Sequence, residues 1–137
     1  MLDLYAGSGA LGLELVSRGA ERVVLVERHR AAQQAIRDNV AALGDANATL
    51  YAGDVRSFAT TPGESFGLVV ADPPYAETNE AVATVLAALL AAGRIASGAD
   101  IVIERSVRDG EFPWPEPLAA GRTKRYGDTL ICYGSAP

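Results

Sequence analysis

The sequence predicts an α/β fold in which a mostly parallel sheet carries helices on both faces and finishes in an antiparallel hairpin. Three observations predict it. Short apolar runs alternate along the whole chain with segments of helical period. A glycine-rich turn, Gly7-Ser8-Gly9-Ala10-Leu11-Gly12, joins the first apolar run to the first helical segment. The run from Phe66 to Ala71 is continuously apolar, as strands covered on both faces are.

The elements follow in order. Leu2 to Tyr5 is the end of a buried strand, and a helix runs from about Ala10 to Arg18 beyond the glycine turn. Arg22 to Val26, rich in valine, is a second strand. His29 to Leu43 is a helix with Ala32, Ile36, Val40 and Leu43 on one face, and Gly44 is placed to stop it. A third strand covers about Ala48 to Ala52, and a short helix follows Asp54. Phe66 to Ala71 is the fourth strand. Asn79 to Ala92 is a helix rich in alanine and leucine, capped by Thr78 or Asn79, with Gly93 just past its end. Ile101 to Ile103 is a fifth strand. Ser106 to Pro117 holds three prolines and Gly110 and reads as a surface loop. Leu118 to Tyr126 and Thr129 to Tyr133 flank Gly127-Asp128 as a hairpin with a tight turn.

Length and composition set the limits. A chain of 137 residues makes one domain with a single core, residues 1–137. Apolar residues are 49% and charged residues 21%, which excludes a disordered chain. Every apolar stretch is broken well short of the roughly 20 residues a membrane span needs, and the N-terminus lacks the basic region of a secretory signal. Cys132 is the single cysteine, inside an apolar run, and reads as a small core residue. A cytoplasmic location follows from these features. The net charge of -5 argues against a protein that holds nucleic acid by its overall field. A local basic face stays open, because five of the 12 Lys and Arg residues lie between Arg105 and Arg125.

The residues that carry chemistry cluster at strand ends. The glycine motif permits a tight turn and close approach of a ligand to backbone N–H groups at the helix start. Glu27 closes the second strand 20 residues after Gly7, a position from which it can accept hydrogen bonds from ribose hydroxyls. Together these features indicate an adenosine-containing cofactor. Asp3 sits inside the first strand, where dinucleotide folds carry apolar residues. Asp54, after the third strand, is placed to contact a cofactor or to cap a helix; the two roles are compatible. Asp72-Pro73-Pro74-Tyr75 follows the fourth strand directly, at the carboxyl edge where open α/β sheets bind ligands. An exocyclic base amine is a poor nucleophile because its lone pair is delocalised into the ring. Asp72 Oδ and the Pro73 carbonyl can accept both amine protons and localise that pair, proline stiffens the acceptor, and Tyr75 can stack on the base. His29 is the lone histidine, expected in solvent, and no Cys or His cluster supports a metal. Trp114 is expected to pack the proline-rich loop, and Glu104 to line the pocket or pair with Arg105.

Asp3-Leu4-Tyr5-Ala6-Gly7-Ser8-Gly9 resembles the first motif of class I S-adenosylmethionine-dependent methyltransferases. Taken with Ser17-Arg18-Gly19-Ala20, Asp72 to Tyr75 and Arg125-Tyr126-Gly127-Asp128-Thr129, the chain resembles the RsmD family of small-subunit ribosomal RNA guanine-N2 methyltransferases over nearly its whole length. The resemblance implies a Rossmann-like, seven-stranded, mostly parallel sheet with S-adenosyl-L-methionine as cofactor. It implies a cofactor site made by Asp3, Tyr5, Gly7, Gly9, Gly12 and Glu27, with Asp54, Val55 and Asp72. It places catalysis at Asp72, Pro73, Pro74 and Tyr75, and substrate contacts at Tyr75, Arg125, Tyr126 and Asp128. The implied partner is small-subunit ribosomal RNA or the assembling small subunit, with no membrane, no metal and a monomeric enzyme. The family carries a basic, partly β N-terminal extension, and this sequence opens on an expected central strand without it. A truncated chain is therefore expected. Three alternatives stay open: a DNA adenine-N6 or cytosine-N4 methyltransferase, an NAD-binding Rossmann domain, and an inactive cofactor-binding fragment.

Overall fold

The computed structural model describes residues 1–44 and 47–137. Seven strands form one sheet: β1 (Leu2–Leu4), β2 (Val23–Glu27), β3 (Ala48–Ala52), β4 (Phe66–Ala71), β5 (Ile95–Ser106), β6 (Ala119–Tyr126) and β7 (Thr129–Ser135). Their spatial order is β3-β2-β1-β4-β5-β7-β6. The first five pair in parallel, and β7 inserts antiparallel between β5 and β6. The order reverses direction between β1 and β4, which opens a crevice at their carboxyl ends. The expected fold class is the one observed.

Four helices cover the sheet: α1 (Ala10–Ser17), α2 (Arg30–Leu43), α3 (Val55–Thr60) and α4 (Asn79–Ala91). Side chains alternate across each strand, so the two faces build two cores. Leu2, Leu4, Val24, Val26, Val69, Ala71, Ile101 and Ile103 pack under α3 and α4 with Phe58, Val82, Leu86 and Leu89. Val23 and Leu25 point the other way, onto Leu13 and Val16 of α1 and Ile36 of α2. Thr78 caps α4 by accepting from the Ala81 N–H at 3.0 Å, which decides between the two expected caps. Gly44 ends α2 in the left-handed region at φ 66°.

Three expectations need correction. The fifth strand is 12 residues long, from Ile95, and the sequence hid its first half because Ser97, Gly98 and Asp100 break the apolar pattern. Gly98 at φ 75° marks the break, and the β4–β5 register shifts between Phe66 and Leu68. The stretch after Ser106 is only partly a surface loop: Val107–Asp109 form a 3-10 turn, while Phe112 and Leu118 are buried in the core. Helix α2 buries Gln33 beside Ile36, whereas Leu43 is exposed; Gln33 Nε2 donates to the Glu27 carbonyl at 3.0 Å. Trp114 packs edge-on against Phe112 and lies against Gly134, in keeping with its expected role. Among the described residues no helix is long and apolar enough to cross a membrane.

Gly12 lies within α1 where the helix presses onto β2. A Cβ there would stand 2.6 Å from Leu25 Cδ2 and 2.9 Å from Val23 Cγ1, both in fully buried side chains. Alanine gains about 1 kcal/mol of helix propensity over glycine, but overpacking a filled core costs about 1–3 kcal/mol. Val23 is β-branched on a central strand and has little room to turn, so the clash should win. Gly12→Ala is expected to lower the urea midpoint by the equivalent of about 1 kcal/mol with an unchanged m-value.

Candidate active site

The carboxyl ends of β1, β2 and β4 converge at the topological switch point. Tyr5 leaves β1 with φ 58°, the one non-glycine residue in that region among the described residues. That conformation turns the chain into the glycine loop, where Gly9 is the left-handed N-cap of α1. Glu27 holds this loop from below: Oε1 accepts from the Gly7 N–H at 2.7 Å, and Oε2 accepts from the His29 N–H at 2.9 Å. Asn39 of α2 donates to the Ser8 carbonyl at 3.2 Å. The three motif glycines therefore shape the loop rather than line the cleft beside it.

That cleft has a volume of about 250 Å³ and is walled by Tyr5, Glu27, Arg28, Asp54, Val55 and Asp72, among others. Asp54 is both wall and cap, since its Oδ1 accepts from the Ser57 N–H at 2.7 Å at the start of α3. That hydrogen bond lowers its pKa. The Tyr5 hydroxyl is buried with no hydrogen-bond partner. Asp3, only 5% exposed, points to the α1 side of the sheet, with Oδ2 against Gly12. Burial pushes its pKa from 3.8 up to about 7, the Gly12 amide opposes the shift, and the Asp72 and Glu27 charges add to it.

A second cleft of about 720 Å³ opens on the other side of Asp72-Pro73-Pro74-Tyr75. Asp72 and Pro74 line both clefts. Tyr75 stands 96% exposed at the mouth of the second. Asp72 has a carboxyl pKa raised by desolvation and lowered by nearby Arg105. The tetrapeptide is thus a partition, with one carboxylate facing two adjoining spaces.

A family model described as Conserved hypothetical protein 95 matches residues 1–135. The chain belongs to this family, the family of RsmD. Ribosomal RNA small subunit methyltransferase D of Escherichia coli (strain K12) is 42% identical over 74 residues, covering 54% of this chain and 37% of that protein. A tRNA1(Val) (adenine(37)-N6)-methyltransferase of Pectobacterium carotovorum is 36% identical over 78 residues, 55% of this chain and 32% of that protein. The alignments thus span about a third of these curated relatives. Among solved structures, YhhF of Escherichia coli, provisionally named a methyltransferase, superposes with a TM-score of 0.90 at 32% identity, covering 98% of this chain and 75% of that one. A conserved hypothetical protein of Streptococcus pyogenes gives 0.88 at 32% identity, with 99% and 84% covered.

In this RsmD-family chain the hairpin residues divide. Asp128 lines the second cleft together with Thr129. Arg125 does not; its Nε donates to the Gly127 carbonyl at 2.9 Å, and Tyr126 is 60% exposed on the edge strand. Arg105 and Glu104 also part company. Arg105 is buried, donates to Asn79 Oδ1 at 2.8 Å and to the Glu77 carbonyl, and pairs with Asp109 at 3.2 Å. Both border the second cleft, but Glu104 is only half-buried and makes no such contacts among the described residues. Strand alternation around Ile101 and Ile103 was the signal that separates them. His29 is exposed, as expected, although it borders the first cleft.

Because the folded Asp3 carboxyl titrates near 7 rather than 3.8, the native state keeps a proton the unfolded chain has released across that interval. Its contribution to stability is complete below pH 4 and is lost as pH rises through 7. Asp72 and Glu104, also shifted upward, act in the same direction. Asp3→Asn should therefore flatten the fall in urea stability between about pH 4 and pH 7, read from chemical denaturation at several pH values.

Proposed function

We propose that this chain is the catalytic domain of an enzyme that moves a methyl group from S-adenosylmethionine to the exocyclic N2 amine of a guanine in small-subunit ribosomal RNA. The observation that carries the proposal is the partition formed by Asp72 to Tyr75, with Asp72 and Pro74 shared by two clefts. A methyl donor and an acceptor base need separate pockets that meet at one point. Family membership and the identity to a ribosomal RNA methyltransferase support the substrate class. A ribosomal substrate fits a cytoplasmic, monomeric enzyme.

The residues of the first cleft fit the cofactor. The unpartnered Tyr5 hydroxyl calls for a polar ligand atom, since a buried hydroxyl left without a partner costs about 1–3 kcal/mol. Four carboxylates and two arginines line the space, and Asp3 lies behind it. That balance suits a ligand bearing sulfonium and ammonium charges better than the pyrophosphate of NAD. Tyr5, with Asp3 and the glycine loop behind it, would border the methionine end, Glu27 the ribose, and Asp54 with Val55 the adenine. Glu27 would share its oxygens between the loop amides and the ribose.

S-adenosylmethionine, when bound, supplies a methyl group already activated on a sulfonium. The chain supplies orientation and polarity. Asp72 Oδ and the Pro73 carbonyl accept the two amine hydrogens and draw the nitrogen lone pair out of conjugation. Tyr75, free of contacts at the cleft mouth, stacks on the base. After transfer the nitrogen sheds one proton, and the upward-shifted Asp72 carboxyl, or water, takes it.

Three outcomes test this reading. Tyr5→Phe should stabilise the ligand-free protein by about 1 kcal/mol and weaken S-adenosylhomocysteine binding by about fivefold, read by denaturation and calorimetry. Asp72→Asn should lower methyl transfer to small-subunit RNA by about 100-fold or more while changing that binding by less than about threefold. Nucleoside mass mapping of the product should reveal N2-methylguanosine; failure to bind S-adenosylhomocysteine, or a different methylated nucleoside, overturns the proposal.

A further inference from the structure

The second cleft holds a carboxylate besides those the transfer uses. Asp72 follows Ala71 on β4, and Glu104 follows Ile103 on β5; Ala71 and Ile103 are register partners in parallel strands. Asp72, the first residue past β4, and Glu104 thus each follow the last register pair, at neighbouring chain positions. Ile101, Ile103 and Arg105 take the opposite, core-facing positions. Both Asp72 and Glu104 line the 720 Å³ cleft. Burial raises the Glu104 pKa and the neighbouring Asp72 charge raises it further, so the two carboxylates sense each other. Arg105 and Arg108 also border this cleft, but the buried Arg105 guanidinium is engaged by Asn79, the Glu77 carbonyl and Asp109.

Two neighbouring carboxylates, neither of them ion-paired to an arginine among the described residues, suit a ligand that presents adjacent hydrogen-bond donors. The three base amines differ in this respect. Adenine N6 is flanked by the acceptor N1 on the Watson–Crick edge, and cytosine N4 by the acceptor N3. Guanine N2 is flanked there by N1–H, a donor. We infer that Glu104 reads the base by accepting the N1–H of the target guanine while Asp72 accepts from its N2 amine. This rests on the guanine-N2 reading above and adds a specificity-determining residue to it. An adenine or cytosine in the same pose would set a ring-nitrogen lone pair against the Glu104 carboxylate, and that repulsion rejects it. The 36%-identical relative named for adenine-N6 transfer makes this choice of base a real question for the fold.

The test compares two ligands that share the C2 amine and differ at N1. Guanosine 5′-monophosphate has N1–H; 2-aminopurine riboside 5′-monophosphate has a bare N1. Binding of each to the chain saturated with S-adenosylhomocysteine is measured by NMR titration, for wild type, Glu104→Gln and Glu104→Ala. Wild type should favour the guanosine nucleotide about tenfold, as one charge-assisted hydrogen bond allows. Both variants should bring the ratio near one. Unchanged S-adenosylhomocysteine affinity would establish that they are folded; a variant that loses it is set aside and the ratio read on the other. A wild-type ratio near one, or a tenfold ratio that survives both substitutions, overturns the role of Glu104. Adenosine 5′-monophosphate bound in preference to the guanosine nucleotide, or adenine methylated in RNA, overturns the guanine reading itself and is distinguishable from the first two results.

Discussion

Arg105 lies on the core face of β5 and directs its guanidinium to three separate segments: Asn79 at the start of α4, the Glu77 carbonyl, and Asp109 in the 3-10 turn. Asn79 in turn donates to the Asp109 carbonyl at 2.9 Å. This buried fork ties the chain leaving Asp72-Pro73-Pro74-Tyr75 to the end of the neighbouring strand. A charge taken out of water in this way demands full hydrogen bonding, and the positions of its partners are correspondingly restricted. The tetrapeptide is thereby fastened at both ends, by β4 before it and by Arg105 after it. A partition between two clefts needs such fastening, because Asp72 must keep its place relative to both.

The first cleft depends on a second set of restraints with the same logic. Glu27 joins the glycine loop to the start of α2 through two backbone amides. Gly12 lets α1 close onto Val23 and Leu25, and this packing encloses Asp3. Carboxylates at these sites face the two clefts and the backbone at once. Desolvation raises both Asp3 and Asp72, and the Asp72 and Glu27 charges raise Asp3 further, so keeping these carboxylates ionised carries an electrostatic cost. Stability and function are coupled here through charge.

Much of the site was legible along the chain because each of its pieces is local. The glycine loop, Glu27, Asp54 and the Asp72 turn each sit at a strand exit, and the parallel topology brings strand exits together. The cap role of Asp54 was readable for the same reason, since it depends on Ser57 three residues on. Arg125 and Tyr126 were less readable. Whether a hairpin side chain faces a cleft depends on how β6 and β7 twist beside β5, and of the hairpin only Asp128 and Thr129 line it.

Sequence alone determined the fold class and the order of strands and helices through to the C-terminal hairpin, because periodicity and turn residues act over short range. Tertiary structure alone decided the length of β5, whose polar first half is held by Phe66 and by the C-terminal residues: Gly98 N–H donates to the Pro137 carbonyl, and Ala136 N–H to the Ala99 carbonyl. It also decided which face of β5 is buried, putting Arg105 inside and leaving Glu104 half-exposed at the second cleft. Adjacent residues on a strand point to opposite faces, and which face is which depends on the register of β5 against β4.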